Sequence, residues 1–349
     1  MITAAKNYLL LIFVVVTSVY HLSCVYVCIQ LIELAPLPSS YKKLIYSYMK
    51  IFGHHAAISM LGFWFRHPIF LKYNKEVKKH SLNLVISNHC SDYDWLFVSH
   101  VFFHLGQYRS LYIMMKRSLS QLPIIGSIMR SFRHLFLNRS RKKDISIINQ
   151  YTKEMLKEKE YNILIFPEGT YPYQSSLDHA KTFAKNSNLV VNNKKYIPER
   201  VLVPRKLGFD LVKKGLKNSY EGLIDITLMV NPYMKMPSEE CSIKDFFINE
   251  RKFINEAILV DYIPKKGLHN NFLIEGFSQK DKILDLYSSK YNGEFKSIED
   301  FKNFLQQSNL IKKDDVVEEI HMKSPWRLYF LLFPYILLLL FFGLKMTYK

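Results

Sequence analysis

An α/β domain carried between apolar terminal segments is the fold class this sequence predicts. Three observations predict it. Short, apolar, β-branched runs recur, as in Leu82–Ser87 (LNLVIS) and Ile224–Val230 (IDITLMV), and such runs read as buried strands. Between them lie segments such as Ile145–Lys159, whose charged residues fall on one helical face. The longest uncharged runs sit near the two ends of the chain, outside this alternation. Strands alternating with helices build layered α/β domains.

The first element is the run from Asn7 to Ile32, which holds no Asp, Glu, Lys or Arg. At about 1.5 Å per helical residue it can cross a hydrocarbon layer of about 30 Å. A secretory signal has a shorter apolar region, about 7–15 residues, ending in a small-residue cleavage site. Glu33-Leu34-Ala35-Pro36 is a poor one, so a retained anchor is expected. Next comes Ile51–Phe65, containing Gly53, His54, His55 and Gly62 and flanked by Lys42, Lys43, Lys50 and Arg66. It is short for a span and reads as an interfacial or re-entrant helix. Residues 1–72 thus form a membrane-associated unit. The basic residues after the first span, set against Lys6 before it, lean toward a cytosolic catalytic domain.

Residues 73–323 form the soluble domain. Its expected strands are Leu82–Ser87, Asn162–Phe166, Arg200–Val203 and Ile224–Val230, and its helices include Ile145–Lys159 and Lys280–Lys290. Glu239–Asn255 and the charged stretch Lys290–Glu319 read as peripheral helices and loops, the latter tethering the domain to a third apolar run, Leu328–Leu344. Trp326, Arg327 and Lys345 flank that run like interfacial anchors, and Pro334 is tolerated in a membrane helix. Residues 324–349 are expected to be a C-terminal transmembrane helix.

Composition excludes whole classes. With 49% hydrophobic residues in 349, the chain can bury a core, so disorder is excluded. Only 12 Gly and 4 Cys exclude collagen-like and disulfide-scaffold chains. Cys24 and Cys28 lie in the first apolar run, Cys90 and Cys241 stand alone, and no C-x-x-C pair suggests zinc. No metal site is expected. The 48 Lys and Arg against 30 Asp and Glu give a formal charge of +18, which suits nucleic acid or an anionic membrane. Zinc-finger spacing and an aromatic RNA-binding signature are missing, and two membrane anchors argue against a nucleic-acid partner.

The chemistry is carried by loops that follow strands. The first strand runs into Asn88-His89-Cys90-Ser91-Asp92-Tyr93-Asp94-Trp95. A His five residues before an Asp, at a turn into a helix, lets the carboxylate hold one imidazole nitrogen and leave the other as a base. That spacing alone arises often by chance as a capping motif. Three further segments change the odds. Phe166-Pro167-Glu168-Gly169-Thr170 follows a second strand, and a Gly there lets backbone approach a ligand. From Arg109 to Asp144 there are nine Lys or Arg and one acid, an anion-attracting segment in which Arg139, just past Phe136-Leu137, stands out. Val201-Leu202-Val203-Pro204-Arg205 ends at a loop with a cation.

In these blocks the chain resembles the glycerophospholipid acyltransferases, the group that includes 1-acylglycerol-3-phosphate acyltransferases. The matching residues are Asn88-His89-x-Ser91-Asp92-x-Asp94-Trp95; Lys116 with Leu119, Pro123 and Gly126, leading to Phe136-Leu137-x-Arg139; Phe166–Thr170; and Val201-Leu202-x-Pro204-Arg205-x-x-Gly208-Phe209. They cover about residues 80–210, and their joint order is far more specific than any one block. The segment Phe277–Leu284 looks like the tail of the lysocardiolipin acyltransferase branch. Ser140 and Tyr171-Pro172 depart from the common pattern, at positions that could alter acceptor choice.

The resemblance implies a mixed sheet flanked by helices, of the glycerol-3-phosphate acyltransferase type. It implies acyl transfer from acyl-CoA, a co-substrate, to the free hydroxyl of a lysophospholipid, with no cofactor. His89 would act as general base and Asp94 would orient it. Lys116, Arg139, Glu168, Gly169 and Thr170 would serve the acceptor phosphate, and Pro204 and Arg205 the acyl-donor side. Lysophosphatidic acid is the default acceptor, with lysocardiolipin or another lysophospholipid as the alternative. The expected setting is the endoplasmic reticulum membrane, or else the mitochondrial membrane. Cys90 beside His89 suggests a covalent thiol route, but neighbouring chain positions point in different directions. A hydrolase would need a nucleophile, and no G-x-S-x-G elbow is present. An inactive membrane scaffold would not need to keep His89, Asp94, Arg139 and Glu168 together.

Overall fold

A computed structural model describes residues 2–61, 68–217, 219–240, 255–290 and 293–322. The expected C-terminal helix, 324–349, lies outside the described residues, as does most of Glu239–Asn255.

The described chain opens with α1 (Ile2–Leu34) and α2 (Ser39–Leu61). Among the described residues one helix, over Leu11–Leu34, is long and apolar enough to cross a membrane. The short run after Ile51 continues a 23-residue helix that begins at Ser39. Then follow β1 (Ile69–Asn74), β2 (Leu82–Ser87), α3 (Asp94–His104), β3 (Leu111–Lys116), α4 (Ile125–Ser131), β4 (Leu135–Leu137), α5 (Arg141–Met155) and β5 (Tyr161–Ile165). After α6 (Gln174–Asn186) comes a small hairpin, β6 (Val190–Val191) and β7 (Lys194–Lys195). The chain continues through α7 (Lys206–Gly215), β8 (Gly222–Asn231), α8 (Pro237–Glu240) and β9 (Asn255–Pro264). It closes with α9 (Phe272–Lys290), α10 (Ile298–Gln307) and β10 (Asp315–Ile320).

Eight strands form one mixed sheet in the order β10-β1-β9-β8-β2-β5-β3-β4. Alternation along each strand feeds two cores. On β8, Ile224, Ile226, Leu228 and Val230 face the layer built by α3, with Phe97, Val101 and Phe102. Leu223 and Met229 face the other way, toward α5, α7, α9 and α10, where Met155, Val212, Phe277 and Phe304 pack. This period of two against helices on both faces is the physics of a three-layer α/β sandwich.

Of the ten strands among the described residues, only β2, β5 and β8 were expected; among the others, β1 and β10 lie where the pattern argued against a strand. β1 straddles the expected boundary at residue 72, and β10 forms within the charged tether. Lys72, on β1, explains both. Its side chain is buried, and Nζ donates to Asp261 Oδ1 at 2.7 Å and meets Asp315 Oδ2 at 3.0 Å. Asn74 adds a bond to Asp315 Oδ1 at 3.0 Å. Charged residues are thus paired inside the sheet rather than solvated.

A correction runs the other way. Arg200–Val203 was expected as a strand and pairs with none. Its amides are captured by carboxylates instead: Arg200 N and Val201 N donate to Asp281 Oδ1 at 2.5 and 3.1 Å, and Leu202 N donates to Glu168 Oε1 at 2.7 Å. With its donors taken by side chains, the segment cannot join a ladder.

Candidate active site

Five neighbouring strands, β8, β2, β5, β3 and β4, run parallel to one another. Their carboxyl ends therefore share one edge of the sheet, the edge where open α/β sheets bind ligands. His89 lies two residues beyond β2, the Phe166–Thr170 loop begins directly beyond β5, Lys116 ends β3, and Arg139 lies two residues beyond β4. At about 4.8 Å per strand, β4 stands roughly 14 Å from β2 along this edge.

The imidazole is held from several sides. His89 Nδ1 donates to Asp94 Oδ2 at 2.7 Å. Asp94, the first residue of α3, is fully buried and also accepts from Cys90 N at 2.5 Å, Ser91 N at 3.0 Å and Ser91 Oγ at 2.8 Å. Donors surround both oxygens, so the carboxylate is acceptor-only and fixes the tautomer with the proton on Nδ1. No partner for Nε2 occurs among the described residues. The ring stacks on Phe166 at 4.4 Å between centroids and meets Tyr171 edge-on at 5.1 Å. Tyr171, a departure from the family pattern, is thus a wall of the histidine's surroundings.

Asn88 anchors this loop to the sheet. Its Oδ1 accepts from Leu228 N at 2.8 Å, and its Nδ2 donates to Leu228 O at 3.0 Å. The amide side chain mimics one more strand residue, a use that only the three-dimensional pairing with β8 discloses. Cys90 points into the core, with Sγ 3.2 Å from Asn88 Nδ2, and burial pushes its thiol well up. A buried, high-pKa thiol is a poor nucleophile.

Glu168 is the hub between loops. It is 2% exposed. Oε2 accepts from His89 N at 2.5 Å, and Oε1 accepts from Leu202 N at 2.7 Å. Burial raises its pKa to about 8, with the two amides opposing and the Asp94 charge adding to the rise. Each of its carboxyl oxygens accepts from a backbone amide. Gly169 follows at φ +74°, a conformation that needs glycine. The Arg205 guanidinium packs over it, 3.6 Å from where a Cβ would stand, and Arg205 N donates to Pro167 O at 2.8 Å. Arg205 and Gly169, expected on separate substrate sides, are therefore neighbours. Pro204 is buried beside them, and Thr170 is half-buried.

Lys116 and Arg139 are exposed, and no described contact joins either to His89. Arg139 has φ 60°. Asp144 holds its two flanking amides, accepting from Asn138 N and Ser140 N, each at 2.8 Å. The lone acid of the basic segment thus shapes the backbone at Arg139.

Asp281 went unnoticed in the sequence as a site-shaping group. Besides Arg200 N and Val201 N it accepts from Glu199 N at 3.1 Å, so α9 holds the loop whose next residue, Leu202, reaches Glu168. Its only signal was a place in the Phe277–Leu284 segment. Among the described residues no group of three or more His, Cys, Asp or Glu side chains is arranged to hold a metal ion.

Known proteins match this chain over the same region. A model of the acyltransferase family matches residues 70–200. An uncharacterized acyltransferase of Schizosaccharomyces pombe is 27% identical over 222 residues, 58% of this chain and 59% of its own. The 1-acyl-sn-glycerol-3-phosphate acyltransferase 2 of Arabidopsis thaliana is 30% identical over 159 residues, 45% of this chain and 39% of its own. Lysophosphatidylinositol acyltransferase 10 of Caenorhabditis elegans is 27% identical over 225 residues, 62% and 55% of the two chains. The chain thus spans about three fifths of the length of its fungal relative. The crystal structure of the 1-acyl-sn-glycerophosphate acyltransferase PlsC from Thermotoga maritima overlaps at a TM-score of 0.47 with 12% identity, covering 84% of this chain and 99% of that one. The four ordered motif blocks, the acyltransferase-family match across three of them and the sequence relatives named as 1-acyl-sn-glycerol-3-phosphate and lysophosphatidylinositol acyltransferases support a glycerophospholipid acyltransferase family for this chain.

Proposed function

We propose that this protein moves a fatty acyl group from acyl-CoA to the free hydroxyl of a lysophospholipid, by default 1-acylglycerol-3-phosphate, giving phosphatidic acid. The observation that carries the proposal is the His89 Nδ1–Asp94 bond of 2.7 Å, set at the shared carboxyl edge of the parallel strands. His89 Nε2 takes the hydroxyl proton, the oxygen attacks the thioester carbonyl, and the tetrahedral intermediate expels the thiolate of coenzyme A. The imidazolium, stabilised by Asp94, returns its proton to that sulfur. No covalent acyl-enzyme forms. Arg139 and Lys116 serve the acceptor phosphate, the Gly169-Thr170 backbone assists, and Pro204 and Arg205 border the donor side. Glu168 acts on the reaction through the backbone of His89. α1 anchors the protein in a membrane, by default that of the endoplasmic reticulum, with the mitochondrial membrane as the alternative.

The relative named as a lysophosphatidylinositol acyltransferase supports a second acceptor reading, remodelling of lysophosphatidylinositol, lysophosphatidylglycerol or lysocardiolipin. Detergent-solubilised full-length protein given labelled acyl-CoA and a panel of lysophospholipids decides between them. Diacyl product with lysophosphatidic acid alone supports the first reading, and preference for another head group supports the second. Free fatty acid as the only product refutes acyl transfer, and no product at all indicates a scaffold.

A further inference from the structure

A second polar cleft, of ≈ 470 Å³, lies between α1 and the Arg117–Arg130 segment. Its nine lining residues include two guanidinium groups, Arg117 and Arg130, and no Asp or Glu. Tyr26, Ser120, Gln121 and Ser127 add hydroxyl and amide groups. Arg130 is fixed in place by donating to the Ser120 carbonyl, which leaves its charge unneutralised. The turn beneath is tightly built. A Cβ at Gly126 would overlap that same carbonyl, and Ile124 holds φ 61°, which a β-branched residue rarely adopts. Such a pocket takes a phosphate group.

The surroundings select which phosphate. Leu119 and Leu122, on the same segment, are 37% and 44% exposed. Val27, next to Tyr26 on α1, is exposed too. An apolar groove of ≈ 680 Å³, lined by Val25, Cys28, Met49 and Phe52 among others, runs between α1 and α2, and its Val25 and Met49 pack in the same cluster as Tyr26 and Ile124 of the cleft. Paired cations beside exposed leucines and an apolar groove match an amphipathic ligand with one anionic end. They do not match a water-soluble nucleotide.

We propose that this cleft binds the phosphate of an anionic membrane phospholipid as a non-reacting ligand, seating the catalytic domain on the bilayer beside α1. The site is separate from the acceptor phosphate assigned above to Arg139 and Lys116.

The test uses full-length protein in neutral detergent micelles. Its thermal unfolding midpoint is titrated with diacyl phosphatidylglycerol, diacyl phosphatidylcholine and coenzyme A. Ligand that binds only the folded state raises the midpoint. Phosphatidylglycerol raises it and phosphatidylcholine does not. Arg117→Gln weakens the phosphatidylglycerol affinity about fivefold, the worth of one basic residue at a lipid surface. Lys185→Gln, an equal charge change at the exposed end of α6, leaves it unchanged, and the coenzyme A response is unaltered in both. Arg130 also holds the turn, so Arg117 carries the test. Equal shifts with the two lipids, equal losses in the two variants, or a loss confined to coenzyme A each overturn the proposal. The readout needs no turnover, so a failure of the acyl-transfer reading leaves this result standing.

Discussion

Replacing Glu168 by Gln separates two roles for the acid that joins the site loops. The carboxylate accepts from the amides of His89 and Leu202, one on each oxygen. Gln keeps one acceptor oxygen and sets an NH2 group against the other amide, which cannot accept. One buried N–H then goes unmet, at a cost of about 1–3 kcal/mol, and Ala strands both, at about 2–6 kcal/mol. Both amides hold the loops around His89, either directly or through Leu202, and a displacement of about 1 Å at a catalytic group can cost on the order of a hundredfold in rate. Expected, then, is a lower unfolding midpoint together with a kcat reduced about tenfold or more, while the lysophospholipid KM stays within about threefold. A pH series adds an independent readout. Burial first, and then the Asp94 charge, raise Glu168 from 4.5 to about 8 against the pull of its two amides. The unfolded chain releases this proton at lower pH than the folded one does. The stabilisation is therefore complete below about 4.5 and is lost as pH rises through about 8. Within that window the slope reaches about 1.4 kcal/mol per pH unit, and Glu168→Gln abolishes it. Thermal unfolding in detergent and steady-state acyl transfer measure all of this. A raised lysophospholipid KM with kcat and unfolding midpoint unchanged would refute the reasoning, because Glu168 would then be meeting the acceptor.

Four further outcomes follow from the same geometry. Asp94→Asn sets an amide donor against His89 Nδ1 and should lower kcat roughly 10³–10⁴-fold, read by single-turnover acyl transfer. Cys90→Ala, in contrast, should keep turnover within about threefold, since the thiol is buried against Asn88; loss of activity there with His89→Ala still active would replace the general base by a thiol route. Arg139→Ala should raise the lysophospholipid KM about 10–100-fold, the worth of a charge-assisted bond, with kcat largely kept. Lys72→Met takes the ion partner from buried Asp315, while Asp261 keeps Lys312, and should destabilise the domain by about 3 kcal/mol, read as a lower unfolding midpoint, while turnover at a permissive temperature changes little.

Much of the site was legible because its residues follow buried strands closely. β2 has the bounds its apolar pattern indicates, and His89 and Asp94 are close enough in the chain to meet across one turn. What stayed hidden depends on long-range contact. Asn88 acts through Leu228, Glu168 through Leu202, and Asp281 through residues 199–201, separations that no local pattern encodes. Arg200–Val203 carries a strand's composition but lost its donors to those two acids. β1 and β10 were obscured by the reverse effect, because Lys72 and the run DVVEEI read as solvent-exposed until the buried ion pairs are seen.

The pairing of Ile69 with Ile320 has a bearing on how the molecule is made. The strands whose carboxyl ends carry the site, β2, β3, β4, β5 and β8, are all synthesised by residue 231. The strand that seals the far margin of the sheet needs partners about 250 positions apart, and closing so long a loop is slow. On the ribosome, β1 must wait with both edges unpaired until β9 has emerged, and with one unpaired until β10 has. The half of the sheet that carries the chemistry can assemble first, and the half that completes the fold comes last.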